Sequence, residues 1–376
     1  MMNQIKILLL LLVFTFPISA QQTINESIIH DGIQRNYIVY IPEIYDGSSA
    51  VPLVLNFHGY GSNATQQMFY GDFRDIADTE GFLLVHPEGT TFIGNQFWNV
   101  GFPGISSTID DVGFTEALID ELANSYAIDL DRVYATGMSN GGFMSFLLAC
   151  QLSEKIAAVA SVTGSMTQDT FDDCNAQRPT PVLQIHGTED DVVLYNGNTL
   201  SIPIADVISY WVDYNNCETT PTTTTLPDID VSDGSTVEHS VYEDGDNGST
   251  TEHMKVIGGG HTWPGSVINS PGTNQDIDAS MEIWLFFSRF DINGPLSVNE
   301  FEKNQVTIYP NPTNSTINLS LSFSEEVNYE LFSPLGQQLI IGTIKSSNQE
   351  IDISNLPPNI YYLKLANQVF KILKTN

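Results

Sequence analysis

Gly137-Met138-Ser139-Asn140-Gly141 fits the pattern G-x-S-x-G. A β-type run (residues 132–136) precedes it, and an apolar helical run with Phe143, Met144, Phe146, Leu147 and Leu148 follows. In that setting the pentapeptide is a nucleophile elbow: a strand-to-helix turn so tight that the flanking positions need glycine, with the Ser139 hydroxyl lifted above the sheet edge. A neutral hydroxyl is a weak nucleophile and needs a base. For an elbow of this kind the chain order is Ser, then acid, then His. His261 supplies the base, because Gly258-Gly259-Gly260 brings it out of the last clear apolar run, residues 254–257. The acid is sought past the end of the run 182–185, in His186-Gly187-Thr188-Glu189-Asp190-Asp191. Asp190 is assigned, with Glu189 and Asp191 as alternatives.

Acyl transfer also needs donors for a developing oxyanion. His58-Gly59-Tyr60-Gly61 follows the early run 53–57, so the backbone N–H groups of Tyr60 and Asn140 are the candidates. Trp263, two residues past His261, and Trp98 are the candidate substrate contacts; the alternative for both is a place in the core. His58, His86 and His186 read as hydrogen-bonding partners of loops, and Asp110 with Asp111 as a helix cap. No Cys-x-x-Cys or Cys/His ligand spacing is present, and this chemistry needs neither metal nor cofactor.

These residues require a scaffold that brings distant segments to one edge. Short apolar runs at 53–57, 82–85, 132–136, 156–162, 182–185 and 254–257 alternate with helical patterns. The clearest helix spans residues 111–126, with Val112, Leu118, Ile119 and Leu122 on one face; residues 277–290 read as a closing helix. Such alternation predicts a mostly parallel sheet covered by helices on both faces. The tract Thr219-Thr220-Pro221-Thr222-Thr223-Thr224-Thr225 reads as a surface excursion within this domain.

Of the 376 residues, 13 are Lys or Arg and 45 are Asp or Glu, a formal net charge of −32. Such a polyanion repels phosphate backbones, which excludes nucleic acid as a partner. The charge is uneven: residues 297–376 hold five basic and seven acidic residues, which puts a boundary near residue 296. Beyond it, short alternating stretches separated by Pro, Asn and Gly turns predict a small all-β sandwich. At the other end, Lys6, the apolar run 7–14 and Ala20 read as a secretory signal peptide over residues 1–20. The organisation is therefore 1–20 signal, 21–296 catalytic and 297–376 β-sandwich. Export permits disulfides; with Cys150, Cys174 and Cys217, at least one thiol stays unpaired.

Five blocks stand in order: His58-Gly59, Asp110-Asp111-Val112-Gly113-Phe114, Gly137 to Gly142, His186 to Asp190, and Gly258 to Gly265. Together, over roughly residues 25–290, they resemble secreted esterases of the polyhydroxybutyrate depolymerase type, a family that includes feruloyl and acetyl-xylan esterases. The resemblance implies an α/β-hydrolase fold, Ser139 as nucleophile, Asp190 as orienting acid, His261 as base and a Cys150–Cys174 bridge. It implies an ester substrate, either a plant cell-wall ester or an aliphatic polyester. Residues 306–376, opened by Tyr309-Pro310-Asn311-Pro312, resemble the sorting domain of the type IX secretion system. That resemblance implies the secretion machinery as partner and a secreted or cell-surface location; a carbohydrate-binding module is the alternative.

Overall fold

The computed structural model describes residues 21–296, 306–321, 327–334, 336–345, 348–365 and 368–375. The expected signal segment and residues 297–305 lie outside the described residues.

The chain opens with a hairpin, β1 (Gln22–His30) and β2 (Ile33–Ile41). Asp31 and Gly32 turn it at φ +49° and +75°, the two left-handed positions that a two-residue turn of this hand demands. Next come β3 (Val51–Phe57), α1 (Ala64–Tyr70), α2 (Arg74–Glu80) and β4 (Leu83–Pro87). A small hairpin, β5 (Thr90–Phe92) and β6 (Asn95–Phe97), leads to α3 (Asp111–Ser125). Then follow β7 (Ile128–Met138), α4 (Asn140–Gln151), β8 (Ala158–Val162), α5 (Gln168–Asp172), β9 (Val182–Gly187) and α6 (Ile204–Tyr214). The body closes with β10 (Thr222–Thr225), β11 (Thr236–Tyr242), β12 (Thr251–Ile257), α7 (Ala279–Phe287), and the short β13 (Phe290–Asp291) and β14 (Gly294–Pro295).

Ten strands form one sheet in the order β1-β2-β4-β3-β7-β8-β9-β12-β11-β10. The six central strands, β4 to β12 in that order, run parallel. Antiparallel strands flank them on both sides. Strand alternation sends Leu53, Leu55 and Phe57 to one face and Val54 to the other. The first face packs on α3 and α4 through Phe114, Leu118, Leu122, Phe146 and Leu148. The second packs on α2 and α7 through Ile76, Ala77, Ile283, Trp284 and Phe287. Burial on both faces is why the central strands read as unbroken apolar runs. The threonine tract forms the outermost strand, β10, with all four residues exposed.

The C-terminal segment has its own core, built from Ile317, Leu319, Leu331, Ile344, Leu363 and Ile372 among others. Its strands are β15 (Val306–Tyr309), β16 (Thr316–Leu321), β17 (Val327–Phe332), β18 (Gln338–Ile344), β19 (Asn348–Asp352), β20 (Asn359–Leu365) and β21 (Gln368–Lys374). They form two sheets, β15-β16-β19 and β18-β17-β20-β21, with every ladder antiparallel. Cys150 and Cys174 are joined in a disulfide that ties the end of α4 to the loop after α5, and Cys217 is a buried free thiol.

Candidate active site

Ser139 sits between β7 and α4 at φ +55°, ψ −120°, a conformation that L residues avoid and that persists only when its surroundings enforce it. The enforcement is visible. The Ser139 N–H donates to the Val162 carbonyl at 2.8 Å, and its own carbonyl accepts from the Phe143 N–H at 3.0 Å. The two glycines of the pentapeptide are sterically compulsory. A Cβ on Gly137 would stand 2.5 Å from the Phe57 carbonyl oxygen, and one on Gly141 would stand 2.1 Å from that same oxygen.

Asp190, just past β9, is buried, whereas Glu189 and Asp191 are exposed. Its Oδ2 lies 2.8 Å from His261 Nδ1. Its Oδ1 accepts the backbone N–H groups of Val192 and Val193 at 2.9 and 2.8 Å. Burial alone would raise this carboxyl, but hydrogen bonds from His186 and His261 outweigh it and hold Asp190 well below the ordinary carboxylate range. The loops that carry the pair are laced together. The Glu189 N–H donates to the Gly259 carbonyl at 2.9 Å, the Gly260 N–H to the Gly272 carbonyl at 2.9 Å, and Gly258 takes φ +80°. The Ser139 hydroxyl has no hydrogen-bond partner among the described residues; such contacts are commonly long before substrate binds.

The loop after β3 crosses close above the elbow: a Cβ on Gly59 would be 3.4 Å from Ser139 Cβ. His58 orients this loop. Its Nε2 accepts the Gly89 N–H at 2.9 Å, which leaves the proton on Nδ1, 2.8 Å from the Gly59 carbonyl. That carbonyl also accepts the Ser62 N–H at 3.1 Å. The N–H and C=O of a trans peptide point in opposite directions, so fixing the Gly59 carbonyl fixes the Tyr60 N–H. Burial holds the His58 ring down to about 4, so it stays neutral in this role. Asn140 opens α4, where backbone N–H groups have no intrahelical acceptor. Among the described residues, neither the Tyr60 nor the Asn140 N–H is taken by another group.

The two tryptophans do not sit where a substrate could touch them. Trp98 is completely buried. Its indole N–H donates to the His58 carbonyl at 2.9 Å, and its backbone is gripped by the Asn140 side chain at 2.7 and 3.1 Å. Trp263 is also buried; its indole N–H donates to Ser280 Oγ at 3.1 Å and its ring packs edge-on against Phe73. Both take the alternative place, in the core, where they brace the loops around Ser139 and His261 rather than stand as the expected substrate contacts. Asp110 caps α3 through the Gly113 N–H at 2.8 Å. Asp111 instead forms a buried ion pair with Arg35 at 2.6 Å. That pair, with the Arg35 guanidinium 3.8 Å from the Phe114 ring centre, pins the loop between Trp98 and α3. Spacing alone did not reveal it, because Arg35 lies 76 residues upstream.

A parallel sheet carrying a strained serine turn, with an Asp–His pair beyond its carboxyl edge, defines an α/β-hydrolase. Residues 105–218 match the phospholipase/carboxylesterase family, and residues 307–375 match the secretion system C-terminal sorting domain. The chain is 30% identical over 281 residues to a bifunctional acetylxylan esterase/xylanase of Neocallimastix patriciarum, covering 74% of this chain and 36% of that one. It is 31% identical over 238 residues to feruloyl esterase B of Piromyces equi, covering 60% and 42%. It is 26% identical over 275 residues to feruloyl esterase D of Neurospora crassa, covering 72% and 86%. The chain thus spans about two fifths of the length of the first two relatives.

Proposed function

We propose that the chain is an exported serine carboxylic-ester hydrolase acting on plant cell-wall esters, feruloyl or acetyl groups carried on xylan. The observation that carries this reading is the 2.8 Å contact of His261 Nδ1 with Asp190 Oδ2, set beside the strained Ser139 turn. With Nδ1–H committed to Asp190, His261 Nε2 is the free base. It takes the Ser139 proton as Oγ attacks the ester carbonyl. The tetrahedral oxyanion is held by the Tyr60 and Asn140 N–H groups, each worth about 2.7–4 kcal/mol of barrier. His261 then returns the proton to the leaving alcohol. Water, activated by the same ring, attacks the acyl-enzyme and releases the acid. Asp190 remains ionised throughout and stabilises the imidazolium.

The substrate class is supported by the feruloyl and acetylxylan esterase names of the relatives. The sorting-domain match supports delivery to the cell surface by the type IX secretion machinery. With the boundary read near residue 296, Ser139, Asp190 and His261 all lie upstream of the tail. Ser139→Ala is expected to abolish p-nitrophenyl acetate turnover and fluorophosphonate labelling while leaving the circular-dichroism spectrum unchanged; retained turnover would refute the nucleophile. Methyl ferulate, acetylated xylan and hydroxybutyrate oligomers compared side by side test the substrate class. Preference for the hydroxybutyrate oligomers would replace the cell-wall reading with that of a polyester hydrolase.

A further inference from the structure

His186, at the end of β9, is fully buried and four residues before Asp190, yet the acyl-transfer mechanism above gives it no role. Its surroundings fix its proton. Gln184 Nε2 lies 2.9 Å from the Gly164 carbonyl oxygen and 2.9 Å from His186 Nδ1. A carbonyl oxygen can face only a donor, so the nitrogen end of the Gln184 amide is the end at this point. That NH2 group then donates to His186 Nδ1, which must be the unprotonated nitrogen. The proton is on Nε2. The two groups facing Nε2 are both acceptors, the Val193 carbonyl oxygen at 2.8 Å and Asp190 Oδ2 at 3.3 Å. A second proton on the ring would point at the Gln184 NH2 group. The Tyr195 ring closes the remaining side edge-on, with centroids 5.9 Å apart.

We propose that His186, locked as the neutral Nε2–H tautomer by Gln184, is a positioning residue whose single Nε2–H, bonded to the Val193 carbonyl, also faces Asp190 Oδ2 and thereby helps set the carboxylate that orients His261. This rests on the serine-hydrolase reading. The proposal explains the division of labour around Asp190. The two backbone N–H groups hold Oδ1, whereas the hydrogen bond at Oδ2 comes from the very ring the carboxylate has to orient. Oδ2 needs a second donor that holds it in the plane of His261 without neutralising the charge His261 requires. A neutral imidazole meets that need, whereas a lysine or arginine would compete for the charge.

The test uses the full chain. His186→Phe keeps a ring but removes the donor; His186→Gln keeps a neutral N–H near the Nε2 position. Gln184→Glu keeps the His186 ring but sets an acceptor against Nδ1, so the ring can hold both protons and its charge then competes for Asp190. With p-nitrophenyl acetate, His186→Phe and Gln184→Glu are each expected to lose about ten- to a hundredfold in kcat with KM nearly unchanged. His186→Gln should recover most of that loss. The downfield proton resonance of the His261–Asp190 bond should move in the two impaired variants and return in His186→Gln. If His186→Phe does not fold, Gln184→Glu carries the test. Parental kcat in a folded His186→Phe or in Gln184→Glu overturns the proposal, as does a His186→Gln variant as impaired as His186→Phe. The underlying reading fails separately, through an active Ser139→Ala.

Discussion

The body and the tail are both built from strands, but they differ in what their interiors contain. The body interior holds polar machinery: buried His58, His86, His186 and His253, the Arg35–Asp111 pair, and Glu252 between Arg289 and His239. Among its described residues the tail buries aliphatic and tyrosine side chains and two others: Thr313, whose hydroxyl donates to the Thr316 carbonyl at 2.6 Å, and Lys374, which donates to the Thr375 carbonyl at 2.9 Å. Burying polar groups costs stability unless each is partnered. The body accepts that cost where donors and acceptors must be aimed. The tail, among its described residues, packs with far fewer such groups.

The largest effect expected from this contrast follows removal of one charge from the body. Asp190→Asn leaves the shape but lets His261 adopt the wrong tautomer, so kcat on p-nitrophenyl acetate should fall about 10⁴-fold. In the tail, Asp352 is exposed and accepts the Ser354 N–H at 2.8 Å, and Asp352→Asn should leave turnover at the parental value. Equal losses in the two variants would mean that the tail takes part in the reaction.

A smaller effect should appear on mild acidification. Burial lowers the imidazoles of His58, His86 and His253 to about 4, 3 and 3. The unfolded chain takes up protons near pH 6.5, where these folded groups do not. Unfolded molecules therefore bind more protons between pH 6.5 and about 3, and stability falls as pH falls through that range. From pH 6.5 to 5 the three imidazoles dominate, with a loss of about 2 kcal/mol for each by pH 5; Asp278, which burial raises to about 7, takes up its proton in the folded state over this window and offsets part of that loss. Glu252 behaves in the opposite part of the scale. Burial would raise it, but Arg289 and His239 hold it near 2. Its contribution is complete above about pH 4.5 and disappears as pH falls through 2. All four tryptophans, Trp98, Trp211, Trp263 and Trp284, lie in the body, so tryptophan fluorescence reads that region alone. The urea midpoint by fluorescence should drop from pH 6.5 to 5. A flat midpoint would show that the buried imidazoles are protonated in the folded state.

How far the site was legible depended on the kind of constraint. The elbow glycines, Asp190 and His261 carry local signatures, because a steric requirement at a turn or a strand end constrains the neighbouring sequence. Trp263 faces the core although it lies two residues past His261, because proximity in sequence to a reacting residue says nothing about which way a side chain points. The Arg35–Asp111 pair depends on how β2 meets the start of α3, and the His186–Asp190 contact on how the turn after β9 folds back on the strand end, neither of which a spacing rule encodes. Strands of the parallel centre were readable since burial on both faces leaves long apolar runs. The β1–β2 hairpin is less legible at β1, which alternates exposed and half-buried residues and lacks such a run, although Asp31-Gly32 is a strong turn signal and Tyr37 to Ile41 of β2 is a buried run.

The smallest expected effect lies where the two regions touch. Lys364 Nζ on β20 is 3.3 Å from Glu80 Oε1 at the end of α2, and Lys371 Nζ on β21 is 2.9 Å from Glu282 Oε1 on α7. The two ends of the Lys364–Glu80 pair keep 27% and 24% of their side-chain surface, so water screens their attraction and ordering two long side chains offsets part of it. Pairs of this kind contribute at most about 1 kcal/mol and weaken further with salt. Lys364→Ala should therefore shift the fluorescence-detected urea midpoint slightly at low ionic strength and not at all in 1 M NaCl. Glu282 is different, because only 7% of its side chain is exposed and Tyr362 also donates to it at 3.2 Å. Lys371→Ala leaves that carboxylate less compensated, so its shift should be the larger of the two and should persist in salt. The reverse ranking would mean that the tail is held by exposed charge alone, and that body and tail unfold as separate units whose contact adds nothing to either.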